Sequence, residues 1–75
     1  MNYDIKLFQE QFVEIIEMDS DEFDIDAPLS SLEGWDSLAA LGVIAMLDKQ
    51  FGIVVSIQAL NEATSPRDIF NLLPR

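Results

Sequence analysis

Apolar residues recur at helical spacing near the start of the chain. Ile5, Phe8, Phe12, Ile15 and Ile16 form one stripe, and Glu10, Glu14 and Glu17 lie off it. The pattern predicts an amphipathic helix over about residues 4–18, with Asp4 suited to the positive end of its dipole. Turn formers and charges then dominate from Asp19 to about Asp36, opening with Asp19-Ser20-Asp21-Glu22 and including Pro28 and Gly34. Phe23, Ile25, Leu29 and Leu32 are spaced through this long connection and should pin it onto the core. The next run, Ser37 to Phe51, is the most apolar and predicts a second helix, with Gly42 in its middle costing about 1 kcal/mol relative to Ala. A helix apolar on nearly every side is either buried centrally or keeps an exposed apolar face for a partner.

Gly52 is placed to cap that helix in the left-handed conformation. Ile53-Val54-Val55 reads as a short extended link, too brief for a useful strand. Ser56 can cap a short helix over Ile57 to Glu62, and Thr64-Ser65-Pro66 is a second start signal, a hydroxyl at the cap and Pro at the first helical position. The last helix is expected to turn Ile69, Leu72 and Leu73 inward and to stop at Pro74. The fold class is therefore all-α: a four-helix bundle with a short third helix and a long loop between helices one and two. Residues 1–75 form one domain, with no internal repeat.

Composition narrows the function. Fourteen Asp and Glu against four Lys and Arg give a formal net charge of −10. Such a surface repels phosphate backbones, so nucleic acid is not an expected partner, and partners should present basic patches. The chain has no His and no Cys, so the usual general base, thiol nucleophile and zinc ligands are missing. No spacing brings two carboxylates together as a hydrolase needs, and no catalytic residue is assigned. Asp19-Ser20-Asp21-Glu22 invites a calcium reading, but Phe23 and Asp24 stand where an EF-hand loop wants a third Asp or Asn and a Gly. No metal site is assigned, although loose binding of divalent ions to the acidic loop is compatible with its charge. The longest uncharged apolar run, Leu38 to Leu47, is ten residues, half of the roughly 20 a membrane-spanning helix needs. No signal peptide is visible at the start, and a soluble, cytoplasmic monomer is the expectation.

The informative run is Gly34-Trp35-Asp36-Ser37-Leu38-Ala39-Ala40-Leu41. Taken alone, Asp36 or Ser37 is a helix cap and Gly34 lets the chain turn into the helix. In context the run sits just before mid-chain, between a long acidic loop and the most apolar helix, with Phe51-Gly52-Ile53 about fourteen residues on. This layout, over essentially the whole chain, resembles the acyl carrier protein family, which includes the peptidyl carrier domains.

The resemblance implies that Ser37 receives 4′-phosphopantetheine from coenzyme A, installed by a separate phosphopantetheinyl transferase. The arm's thiol would carry acyl groups as thioesters in fatty-acid, polyketide or other secondary or surface-polymer biosynthesis, and no protein cysteine is needed. Asp36 and Leu38 carry over as recognition residues beside the serine. Partners would be the transferase and acyl-loading and acyl-processing enzymes with basic or apolar docking patches. Val43, Leu47, Val55, Leu60 and Ala63 are, by position, candidates for an acyl cleft behind the second helix, although each taken singly reads first as ordinary core. Trp35 reads first as packing on the loop and second as a recognition surface. Fatty-acid-type carriers place acids just after the Asp-Ser-Leu tripeptide. Here Ala39, Ala40 and Gly42 stand there, and Asp48, beside Lys49, is the only acid in the helix. Docking should lean on apolar contact, which points to a dedicated carrier rather than the housekeeping one. The alternatives are a peptidyl carrier domain and an unmodified helical adaptor, which would give Ser37 no task beyond capping.

Overall fold

A computed structural model describes residues 3–73. The chain folds into four α-helices: α1 (Ile5–Ile16), α2 (Ser37–Phe51), α3 (Ile57–Glu62) and α4 (Pro66–Phe70). There is no strand among the described residues. The predicted helical bundle, short third helix and long first loop are all present. Single 3₁₀ turns over Ser20–Glu22 and Leu29–Ser31 break up the loop.

Local chemistry sets each boundary. The Asp4 carboxylate accepts from the Lys6 and Leu7 N–H groups and starts α1. Helix α1 ends at Ile16, two residues before the expected limit. Glu17 turns left-handed (φ 57°, ψ 46°), and the Met18 N–H reaches back to the Val13 carbonyl at 2.9 Å. Gly52 (φ 69°) ends α2 as expected, and Ser56 and Ser65 cap α3 and α4 through the Ala59 and Asp68 N–H groups.

Helix α1 buries Phe8, Phe12, Val13 and Ile16. Ile5, expected on this stripe, is exposed in the first turn, and Ile15 packs at the α1–α2 contact. Its methyl group would lie 3.3 Å from a Cβ placed at Gly42, so the glycine lets the two helices approach closely. Phe8, Phe12, Val43, Leu47, Leu60, Pro66 and Ile69 are essentially inaccessible and form the centre of the core. Ile25, Leu29 and Leu32 are buried and Phe23 is partly so, which pins the long loop as the spacing predicted. Two backbone bonds tie that loop to the far end of the chain, from the Leu29 N–H to the Thr64 carbonyl and from the Arg67 N–H to the Ile25 carbonyl, both 2.9 Å. Helix α4 is shorter than expected. It stops at Phe70 with Asn71 as its cap, so Leu72 swings outward while Leu73 stays buried. Pro74 lies outside the described residues.

Candidate functional site

The loop enters α2 through a tight passage beside the end of α1. A Cβ on Gly34 would collide with the Ile16 carbonyl oxygen, so only glycine lets the two backbones lie this close. Gly34 has no left-handed φ. The demand is for space, and the turn expected from the sequence needs no glycine conformation. Trp35 follows, half-buried. It stacks on Phe12 with ring centroids 5.8 Å apart and planes 19° from parallel, and its backbone N–H donates to the Leu32 carbonyl at 3.1 Å.

Asp36 is the cap of α2. Its Oδ1 accepts from the Ala39 N–H at 2.8 Å, and its carbonyl accepts from the Ala40 N–H at 2.9 Å. That division of labour matters for Ser37, the first residue of the helix. The serine is exposed, and its hydroxyl makes no hydrogen bond to any described residue. Among the chain's six serines, Ser31, Ser56 and Ser65 commit their hydroxyls to the Pro28 carbonyl and the Ala59 and Asp68 N–H groups. Ser37 alone opens a long helix with its hydroxyl free. The Ser37 and Leu38 N–H groups, in the first turn, have no acceptor among the described residues. They face the positive end of a fifteen-residue helix, so these residues fit a phosphate ester on Ser37.

Helix α2 sorts its apolar residues into two faces. Ala39, Ala40, Val43, Met46 and Leu47 are buried, whereas Leu38 is 78% and Leu41 58% exposed, with Ala45 exposed on the same face. Of the two arrangements an all-apolar helix allows, α2 adopts the one with an uncovered face. Asp48, one turn beyond Ala45, is exposed at its far end. Leu41 was not among the sequence-derived site residues, because a leucine in an apolar helix reads as core. The signal was there: the polar pair Asp48-Lys49 marks the outward face, and counting back by three, seven and ten from Asp48 gives Ala45, Leu41 and Leu38.

Of the five residues proposed for a cleft behind α2, Val43, Leu47, Val55 and Leu60 are buried in the core and Ala63 is partly buried against it. Leu60 and Ala63 also line a surface hollow of about 350 Å³ between the long loop and α3, with Trp35 and Leu29 on its other side. Trp35, Asp36, Ser37 and Leu38 are thus brought together at the mouth of α2. Asp48 stands at its opposite end, and Val43, Leu47 and Val55 lie inside.

Two carboxylates are perturbed, both away from Ser37. The Arg67 guanidinium, donating to Asp26 at 2.6 and 3.3 Å, holds the Asp26 carboxyl below the usual range. The Thr64 hydroxyl and N–H do the same for Asp68. Both groups sit where the loop is tied to α4. No group of acids suited to holding a metal ion occurs among the described residues.

A family model described as the phosphopantetheine attachment site matches residues 6–73, nearly the whole chain. Neither the curated proteins nor the solved structures contain a significant match.

Proposed function

The chain belongs to the phosphopantetheine attachment-site family, and from that premise we propose that Ser37 is the residue that bears the 4′-phosphopantetheine arm. The protein is a phosphopantetheine carrier, and the arm supplies a terminal thiol on which a cargo is held. The observation that carries the assignment is the uncommitted, exposed Ser37 hydroxyl at the first position of α2, left free because Asp36 makes the cap. The first-turn N–H groups lie beside it to receive an anionic ester.

The chain's own residues would then do three things. Asp36 holds the helix start in one conformation, so the transferase meets a rigid serine. Trp35, fixed on Phe12, and Gly34, fitted against Ile16, hold the loop off the hydroxyl. Leu38, Leu41 and Ala45 offer an apolar docking face, bordered by Asp36 and Asp48. The partner that fits is an enzyme with an apolar socket edged by a few basic side chains. This face supports the reading of a dedicated acyl carrier, for a polyketide, surface-polymer or other specialised pathway, over the housekeeping fatty-acid carrier.

Incubation with coenzyme A, magnesium and a broad-specificity phosphopantetheinyl transferase should add one arm to the wild type and none to Ser37→Ala. Equal modification of both proteins would remove Ser37 from this role.

A further inference from the structure

The bare face of α2 is also one wall of a groove. Two hollows, of about 570 and 400 Å³, lie between α1 and α2 and share the lining residues Ile15 and Gly42. From that shared floor the first extends toward the start of α2, past Glu17, Asp36 and Leu38. The second extends toward the end of α2, past Gln11, Glu14, Ala45 and Lys49. The groove is deepest where Gly42 has no side chain, since a Cβ there would already lie 3.3 Å from the Ile15 methyl group. From Leu38 to Lys49 the α2 wall runs about 16 Å, at about 1.5 Å per residue, the length of about three turns of helix.

The groove is apolar along its middle and acidic along one side. Leu38, Leu41 and Ala45 are exposed on the α2 wall, with Ile15 partly buried below them. Glu14 and Glu17 come from α1 and Asp36 from the start of α2, and Lys49 is the one cation in the lining. The side chains of Glu14, Glu17 and Lys49 make no ion pair or hydrogen bond among the described residues. A second copy of this chain would bring the same acids and a net charge of −10, so charge disfavours it as the occupant. The complementary shape is a helix laid along the groove, apolar on one stripe and basic beside it.

We propose that the α1–α2 groove is the docking site for a basic amphipathic helix of a partner enzyme, a partner whose service to the arm rests on the carrier reading. The helix sets apolar side chains over Ile15 and Gly42, against Leu41 and Ala45, and turns Lys or Arg toward Glu14, Glu17 and Asp36. Lys49 excludes a further cation at the other end and so fixes the direction of the helix. Helix α1 thereby joins α2 in the docking surface, and Gly42 becomes a specificity determinant, because any side chain there fills the floor.

The probe is a lactam-bridged helical peptide of about four turns, with a leucine stripe flanked on one side by lysines. A control peptide carries glutamate for each lysine. Titration into isotopically labelled protein should move the backbone amide resonances of Gln11, Ile15, Gly42 and Ala45 with the basic peptide and leave them in place with the acidic one. Glu14→Lys should weaken binding about fivefold. Glu62→Lys makes the same charge change on α3, outside the groove, and should leave the affinity nearly unchanged. Gly42→Leu should abolish the shifts, and Glu14→Lys keeps the test decisive if a melt shows that the leucine variant is unfolded. Absence of binding, shifts confined to other surfaces, or equal weakening by Glu62→Lys overturns the proposal. So do groove shifts that follow protein concentration without peptide, which would assign the groove to a second copy. Arm transfer to Ser37 is followed separately by mass. Transfer without peptide binding overturns the docking proposal alone, and peptide binding without transfer overturns the carrier reading while the groove keeps its helix.

Discussion

At the scale of single residues, Asp36 and Ser37 are neighbours with separable tasks. Asp36→Ala removes the bond to the Ala39 N–H and should cost about 1 kcal/mol of stability, the usual consequence of losing a cap. Ser37→Ala removes a hydroxyl that bonds to nothing described, so its thermal melt should match the wild type while its modification is abolished. Calorimetry of the two variants checks both halves, and a large loss of stability in Ser37→Ala would show that the hydroxyl has a structural task after all. Gly34 is constrained by space. In Gly34→Ala the new methyl meets the Ile16 carbonyl, a backbone atom that cannot swing away, so the variant should lose about 1–3 kcal/mol, read by denaturant unfolding. Glu17 is the only non-glycine residue with positive φ among those described, and Glu17→Gly should relieve strain there and raise the melting temperature.

At the scale of elements, α2 is a helix with two apolar faces, one covered and one bare. Leu41→Asp changes only the bare face, so its stability should stay within about 0.5 kcal/mol of the wild type. The rate of arm transfer to Ser37, followed by intact mass over time, should fall. An unchanged rate would mean that the transferase docks elsewhere. Most helix limits were legible in the sequence, because they depend on local chemistry: Asp4, Ser56 and Ser65 at caps, Pro66 at a first position and Gly52 at an end. What the sequence hid depended on neighbours distant along the chain. The early end of α1 at Glu17 carries no glycine signal, and the outward turn of Leu72 follows from a helix that stops after five residues. Leu41 looked like core because hydrophobicity says nothing about which face a neighbour covers. The hollow beside Trp35 brings residues 28–35 against residues 60–64, a pairing that no local pattern encodes.

At the scale of the whole molecule, charge sets the conditions under which this small core holds. With a net charge of −10, the compact state repels itself more than the unfolded chain does. Added salt or magnesium should therefore raise the melting temperature, and indifference to both would contradict this. Acid acts through the two carboxylates that tie the loop to α4. Asp26 and Asp68 have folded-state pKa values below the ordinary 3.8, so their stabilising effect is complete above that value and is lost as pH falls through the folded values. Melting temperature should fall across that range, and Asp26→Asn should make the fall shallower. Circular dichroism melts across the range would show both effects.

The central claim is that one serine of six carries the arm. The most direct test is tandem mass spectrometry of peptides from protein modified to completion by the transferase, resolving Ser37 from Ser30, Ser31 and the other serines. The account predicts a single phosphopantetheine on the peptide spanning Trp35 to Leu38, with fragment ions placing it on Ser37. An arm found on any other serine, or no arm on protein shown to be folded, would contradict it.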